Sequence, residues 1–112
     1  MSDLGRTFTA LADPTRRRAV ELLRAGPRRA GELAAALAVS PPAMSRHLRV
    51  LRASGLVEER PDGDDARARV YGLRRGPFGE LRRWLDEVEA FWACELAAFK
   101  EHAERTRGRG GR

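Results

Sequence analysis

The sequence predicts a mainly α-helical domain with one small β-hairpin set in front of its longest helix. Three observations carry that prediction. Apolar residues recur at helical spacing in five stretches between Leu4 and Phe99. Two of those stretches open on a capping residue followed by proline, at Asp13-Pro14 and Ser40-Pro41. Between them and the last stretch, Leu56–Arg60 and Arg67–Leu73 look strand-like and flank the turn-forming run Pro61-Asp62-Gly63-Asp64-Asp65-Ala66.

Residues 3–12 form a first helix with Leu4, Phe8 and Leu11 on one face. It is too short to be stable alone and must pack on something. Asp13 caps a second helix that runs to about Ala25 and buries Ala19, Val20, Leu22 and Leu23. Gly26 ends it, and Pro27 lacks the N–H of a full Schellman pair, so a simple left-handed cap is expected. Arg16-Arg17-Arg18 lies in the first turns, where the helix dipole disfavours cations. A solvated surface or a nearby phosphate would each account for the run. Ala30, Leu33, Ala34 and Leu37 form the apolar stripe of a third helix.

The fourth helix is the best-defined element. Ser40 is its N-cap, Pro41 takes the first helical position, and Gly55 suits a left-handed C′. Leu51 and Leu56 stand where a Schellman motif makes its hydrophobic contact. Met44, Leu48 and Leu51 form the apolar stripe. Pro42, Ser45, Arg46, Arg49 and Ala53 lie opposite, with Arg52 at the margin. A solubilising face mixes both signs, whereas this one has arginines and small residues without a carboxylate. Three residues, Ala38-Val39-Ser40, join it to the third helix, making a helix-turn-helix. Ala38 is the unusual member, because this turn favours a left-handed residue and alanine there costs about 1 kcal/mol relative to glycine.

A hairpin directly after such a helix is a wing. In its second strand Arg67 and Arg69 share a face with Tyr71 and are placed to reach a nucleic-acid backbone or minor groove. The acidic turn argues against deep insertion and is read as solubilising. Gly76-Pro77 then breaks the chain before a long helix from about Phe78 to Arg105. Phe78, Leu81, Leu85, Val88, Trp92, Leu96 and Phe99 repeat at steps of three and four, and Trp84 and Phe91 widen the stripe. So small a domain cannot cover all of it, and these aromatics are costly to leave in water. A second copy of the chain is the economical cover. The expected two-fold interface is Leu4, Phe8 and Leu11 of the first helix with Leu81, Trp84, Leu85, Val88, Phe91, Trp92 and Phe99 of the last. Residues 1–105 thus form one DNA-binding and dimerisation domain. Residues 106–112 are expected to be a disordered basic tail.

At 112 residues the chain is long enough for one modest core. No apolar run approaches a membrane span and no signal-peptide layout opens the chain, so a cytoplasmic location is expected without a membrane partner. A single cysteine, Cys94, excludes an internal disulfide and is read as a small core residue. The net charge of +6 is uneven: +5 in residues 1–60, −3 in 61–104 and +4 in 105–112. That distribution favours a nucleic-acid partner. Two histidines, one cysteine and no glycine-rich phosphate loop leave nothing from which to assemble a catalytic site.

The stretches LADPTRRRAVELL (11–23), AGELAAALAVSPPAMSRHLRVLRASGLVEER (30–60) and VYGL (70–73) resemble the ArsR/SmtB winged-helix repressors. The pattern S-x-x-x-x-S-R-H-L-x-x-L-x-x-x-G-L-V carries most of that resemblance. It implies a winged helix-turn-helix, homodimeric through its first and last helices. Such a homodimer binds a palindromic double-stranded DNA operator and leaves it when an effector arrives; the sequence does not name the effector. The family's groove-reading positions fall on Pro41, Pro42, Ser45 and Arg46. Prolines cannot donate, so reading at Pro41 or Pro42 must be apolar, for instance toward a thymine methyl. Arg46 is the candidate base reader, with Ser40, Arg49, Arg52, Arg67 and Arg69 completing the expected DNA-binding set. His47 borders the buried stripe and is read first as a structural or phosphate-contacting residue.

The resemblance also brings metal sensing, from which this chain departs. One family site uses Cys-x-Cys on the third helix, where Glu32-Leu33-Ala34-Ala35-Ala36 stands here. Another uses Asp/His pairs on the last helix, where Asp86, Glu89, Cys94, Glu95 and His102 match no such arrangement. Cys94 and His102 are ~12 Å apart along a helix, too far to share an ion within one protomer. The expectation is therefore a repressor with no metal and no cofactor. A metal- or thiol-responsive sensor, with a site across the dimer or at Cys94, is the alternative. A winged-helix module that binds protein is another.

Overall fold

The computed structural model describes residues 3–110, which divide between two units, Met1–Glu80 and Leu81–Arg112. The first unit holds α1 (Asp3–Ala12), α2 (Pro14–Arg24), α3 (Ala30–Leu37), α4 (Pro41–Ala53) and the strands β1 (Val57–Asp62) and β2 (Asp65–Leu73). It also holds the start of α5 (Arg75–Gly110). The mainly helical architecture with one antiparallel hairpin is the one expected, a winged helix-turn-helix.

Local chemistry explains most of the boundaries. Asp13 accepts from the Arg16 amide at 3.1 Å and caps α2. That bond is also the main reason its carboxyl titrates below the usual carboxylate range. Ser40 Oγ accepts from the Ala43 amide at 3.3 Å and caps α4. At the other end of α4, Gly55 is left-handed (φ +76°). The Leu56 amide there donates to Leu51 O at 3.0 Å and the Gly55 amide to Arg52 O at 2.9 Å. Those are the two bonds of a Schellman motif, and both Leu51 and Leu56 are fully buried beside it. Ala38 is left-handed at φ 55°, so the turn between α3 and α4 does carry a strained alanine.

The core is a cluster of Ala10, Ala19, Leu23, Leu33, Ala34, Leu37, Met44, Leu48, Leu51, Leu56 and Val57. Every helix before the hairpin contributes to it, which fixes the orientation of α4. Val20 and Leu22, expected to be buried, are only partly so at its edge. In α1 the buried residues are Thr7 and Ala10, with the Thr7 hydroxyl donating to Asp3 O at 3.1 Å. Leu4 and Leu11 are half-buried, Leu11 packing on the core, and Phe8 is exposed, so this protomer covers the apolar stripe of α1 only in part.

Several expectations need correction. Both strands run further into the turn than their hydrophobic pattern indicated, with Asp62 paired to Asp65 and a register shift between Pro61 and Asp62. Polar residues continue a hairpin once the ladder has begun, and hydropathy does not record that. The wing also gains a third, single-residue strand. Arg28 and Tyr71 exchange backbone hydrogen bonds at 3.1 and 2.8 Å. Gly26 has φ +150°, not the left-handed cap anticipated, because the Ala25 and Gly26 amides return to Leu22 and Leu23 carbonyls in a tightened last turn.

Helix α5 begins three residues earlier than expected, at Arg75, and its helical backbone extends past Arg105 to Gly110. Residues 106–110 of the expected tail thus continue the helix, and the last two lie outside the described residues. In the second unit Leu85, Phe91, Trp92, Leu96 and Phe99 are exposed, the last two to 62% and 71%. Phe91 and Trp92 pack edge to face at 6.1 Å. Trp84 is exposed as well, while Leu81 and Val88 are half-buried. Cys94 was expected in the core and is exposed instead. It lies on a helix whose surroundings in the protomer do not close over it.

Candidate nucleic-acid interface

The outward face of α4 is set by its inward one. Met44, Leu48 and Leu51 are at most 1% exposed, so helical geometry turns Pro42, Ser45, Arg46, Arg49 and Ala53 to solvent. Pro41 and the cap residue Ser40 are exposed at its N-terminal end. Among the described residues Arg46 and Arg49 have no ion-pair partner, and no carboxylate shares their face. Two free guanidinium groups one turn apart, separated by small residues, can approach a surface of negative charge closely.

Arg52, Arg69 and Glu59 form a clamp that the sequence reading missed. Glu59 Oε2 accepts from Arg52 Nη1 at 2.8 Å, and its Oε1 lies 3.4 Å from Arg69 Nε. One carboxylate thus ties the end of α4 to β2. Arg52 and Arg69, both expected to face DNA freely, are held and half neutralised by it. Arg67 is exposed and without an ion pair among the described residues, and its amide donates to Asp65 Oδ1 at 3.0 Å. No spacing rule marks Glu59 as special. Its partners come from two other elements.

The acidic turn also has a structural duty. Asp62 Oδ2 accepts from Arg29 Nε at 3.0 Å and Nη2 at 2.8 Å, pinning the wing to the residue that precedes α3. This pairing is what raises the Arg29 guanidinium above its ordinary pKa. Solubility therefore does not account for Asp62.

The arginine run of α2 is explained in the same way. Arg16 donates from Nε to Ala10 O at 2.7 Å and from Nη2 to Thr9 O at 3.2 Å. Arg17 donates from Nη1 to Leu11 O at 2.8 Å and Ala12 O at 3.1 Å. These side chains satisfy the last carbonyls of α1, the negative end of its dipole. The favourable term at the end of α1 offsets the unfavourable one at the start of α2. The position that looked electrostatically wrong was the available signal. His47 is half-buried, its Nδ1 3.4 Å from Arg16 Nη1, so it faces α2 and not the open face of α4.

Among the described residues no three His, Cys, Asp or Glu side chains converge as metal ligands would, and no helix is long and apolar enough to cross a membrane.

Comparison with known proteins agrees with this geometry. Residues 13–59 match the family model described as "Bacterial regulatory protein, arsR family". The chain is 45% identical over 96 residues to an HTH-type transcriptional regulator of Mycobacterium tuberculosis, covering 86% of this chain and 84% of that protein. It is 33% identical over 82 residues to the transcriptional repressor SdpR of Bacillus subtilis, covering 73% of this chain and 88% of the repressor. Among solved structures, an ArsR-like transcriptional regulator from Rhodococcus sp. RHA1 aligns with TM-score 0.74 at 34% identity, covering 88% of this chain and 91% of that one. The homodimeric winged helix-turn-helix DNA-binding domain of a possible ArsR-family regulator from Mycobacterium bovis aligns with TM-score 0.59 at 26% identity, covering 84% and 82%. From its helix-turn-helix, its wing and these relatives together, the chain belongs to the arsR family of bacterial regulatory proteins.

Proposed function

We propose that the protein is a sequence-specific, homodimeric transcriptional repressor of the cytoplasm that lays one α4 from each protomer in the major groove of a palindromic operator. The observation that carries this reading is the open face of α4, on which Arg46 and Arg49 stand exposed and unneutralised among the described residues. Arg46 reads a guanine edge, and Ser45 contacts a base or phosphate beside it. Pro41 and Pro42 pack on apolar base edges. Ser40, Arg49 and Arg67 position the helix and wing on the backbone, with His47 bracing α4 from behind. Arg52 and Arg69 contribute to the extent that Glu59 releases them.

Dimerisation supplies the second half-site. Leu85, Phe91, Trp92, Leu96 and Phe99 form more exposed apolar surface than a monomer keeps in water, and pairing of α5 with a second copy removes it. Leu4, Phe8 and Leu11 of α1 extend the proposed contact. The homodimeric relative supports the same assembly.

The test is a gel shift of the protein's own upstream DNA across a salt series. A repressor loses affinity steeply with salt and retains a preference for that fragment over random DNA. A protein-binding winged helix shows neither. A thiol-responsive variant of the same reading is favoured by one observation, the exposure of Cys94. It predicts that oxidation, reversed by reductant, releases the fragment.

A further inference from the structure

We infer that the cavity between the end of α2, the root of the wing and the start of α5 binds a small amphiphile with a compact oxyanion head and an apolar body. The cavity is a half-open groove with a volume of about 600 Å³, in the size range of small-molecule sites. Val20, Leu23, Leu73 and Phe78 supply an apolar floor. Arg24, Arg60, Arg74 and Arg75 stand around it, and Glu21 is the one acid among the lining residues.

Four exposed guanidinium groups thus line one groove above an apolar floor, with few carboxylates to pair them. Arg24, Arg74 and Arg75 have no ion pair among the described residues, and Arg60 has only an exposed contact of 3.4 Å with Glu58. Unpaired guanidinium groups are ready donors to an anion, and arginine's fork suits carboxylate and phosphate alike. Gly72 is buried in the wall, and a Cβ there would fall 2.6 Å from Arg60 Nη2. The Arg60 guanidinium rests over Gly72 at the cavity's edge, and as the far end of an exposed, flexible side chain it is free to turn toward a ligand.

Occupancy would reach the wing directly, since Arg60, Gly72 and Leu73 are strand residues on the hairpin that carries Arg67 and Arg69. A bound head group would compete with Glu58 for Arg60 and brace the wing root. This regulatory consequence rests on the DNA-binding reading; occupancy of the cavity does not.

The test is an amide-resolved NMR titration of the full chain with decanoate, decyl phosphate, decanol and acetate, each below any micelle concentration. Decanoate or decyl phosphate should saturate one site and shift the amides of residues 20–26, 60, 72–76 and 78, and the tighter head identifies the source of the anion. Decanol and acetate should each bind about tenfold more weakly or worse, and Arg60→Gln with Arg74→Gln should weaken the amphiphile by a similar factor. Both arginines are exposed, so the doubly substituted protein should keep its spectrum. Glu21→Gln should tighten binding. Equal binding of decanol, shifts confined to residues 84–99, or indifference to the paired substitution would overturn the proposal. The ligand-free protein on its upstream DNA is the parallel control. Failure there with the titration intact removes the regulation and leaves the site, and the reverse removes the site alone.

Discussion

Replacing Glu59 by glutamine should free two arginines at once, and the structure sets the size of both consequences. Glu59 holds Arg52 at 2.8 Å and Arg69 at 3.4 Å, with the arginine side chains about half exposed and the glutamate 21% exposed. Ion pairs this wet contribute ~0.2–1 kcal/mol each after solvent screening, so Glu59→Gln should cost about 1 kcal/mol or less. For a domain of this size that is a fall in Tm of a few degrees, readable by thermal denaturation. The effect on DNA should run the other way. Each guanidinium that gains a phosphate steepens the dependence of log K on log salt by ~0.9, so up to ~1.8 is expected per protomer. Fluorescence anisotropy on random duplex at several salt concentrations reads that slope. A lower Tm with an unchanged slope would refute the reasoning. It would mean that Arg52 and Arg69 face away from the backbone and that Glu59 is only a structural brace.

Other changes probe other parts of the account. Trp92→Asp places a charge in the exposed apolar face of α5 and should give monomers with weak DNA binding; sedimentation velocity showing an unchanged dimer would move the interface elsewhere. Ala38→Gly relieves the left-handed strain at φ 55° and should stabilise the domain by ~0.5–1 kcal/mol, after the entropy that glycine adds to the unfolded chain. Loss of stability in chemical denaturation would show that the turn is not strained.

The parts of the fold that could be read from the sequence are those decided within one or two turns of chain. Ser40, Pro41, Gly55 and Leu56 bounded α4 because a cap is a contact between near neighbours, and the same is true of Asp13 and Pro14. The three-and-four spacing of Met44, Leu48 and Leu51 fixed which face of α4 is buried, and therefore which face carries Arg46. Ala38 was identifiable as a misfit because the turn's geometry is restrictive. What escaped were pairings between distant positions. Arg29 with Asp62 spans 33 residues, and Glu59 chooses Arg52 and Arg69 by proximity in space. The single-residue strand at Arg28 carries no pattern at all. Cys94 was misplaced because a small apolar side chain reads as core wherever its burial depends on neighbours outside the helix.

Arg46→Ala on operator against random DNA tests the central claim most directly. Arg46 is exposed and without an ion pair among the described residues, so its truncation should leave the fold intact and appear wholly in binding. A lost bidentate guanine contact is worth ~1–3 kcal/mol, or about 5- to 150-fold in operator affinity for each protomer. Random-DNA affinity should change far less. Equal losses on the two DNAs would contradict the account, because Arg46 would then touch phosphate and the sequence would be read elsewhere.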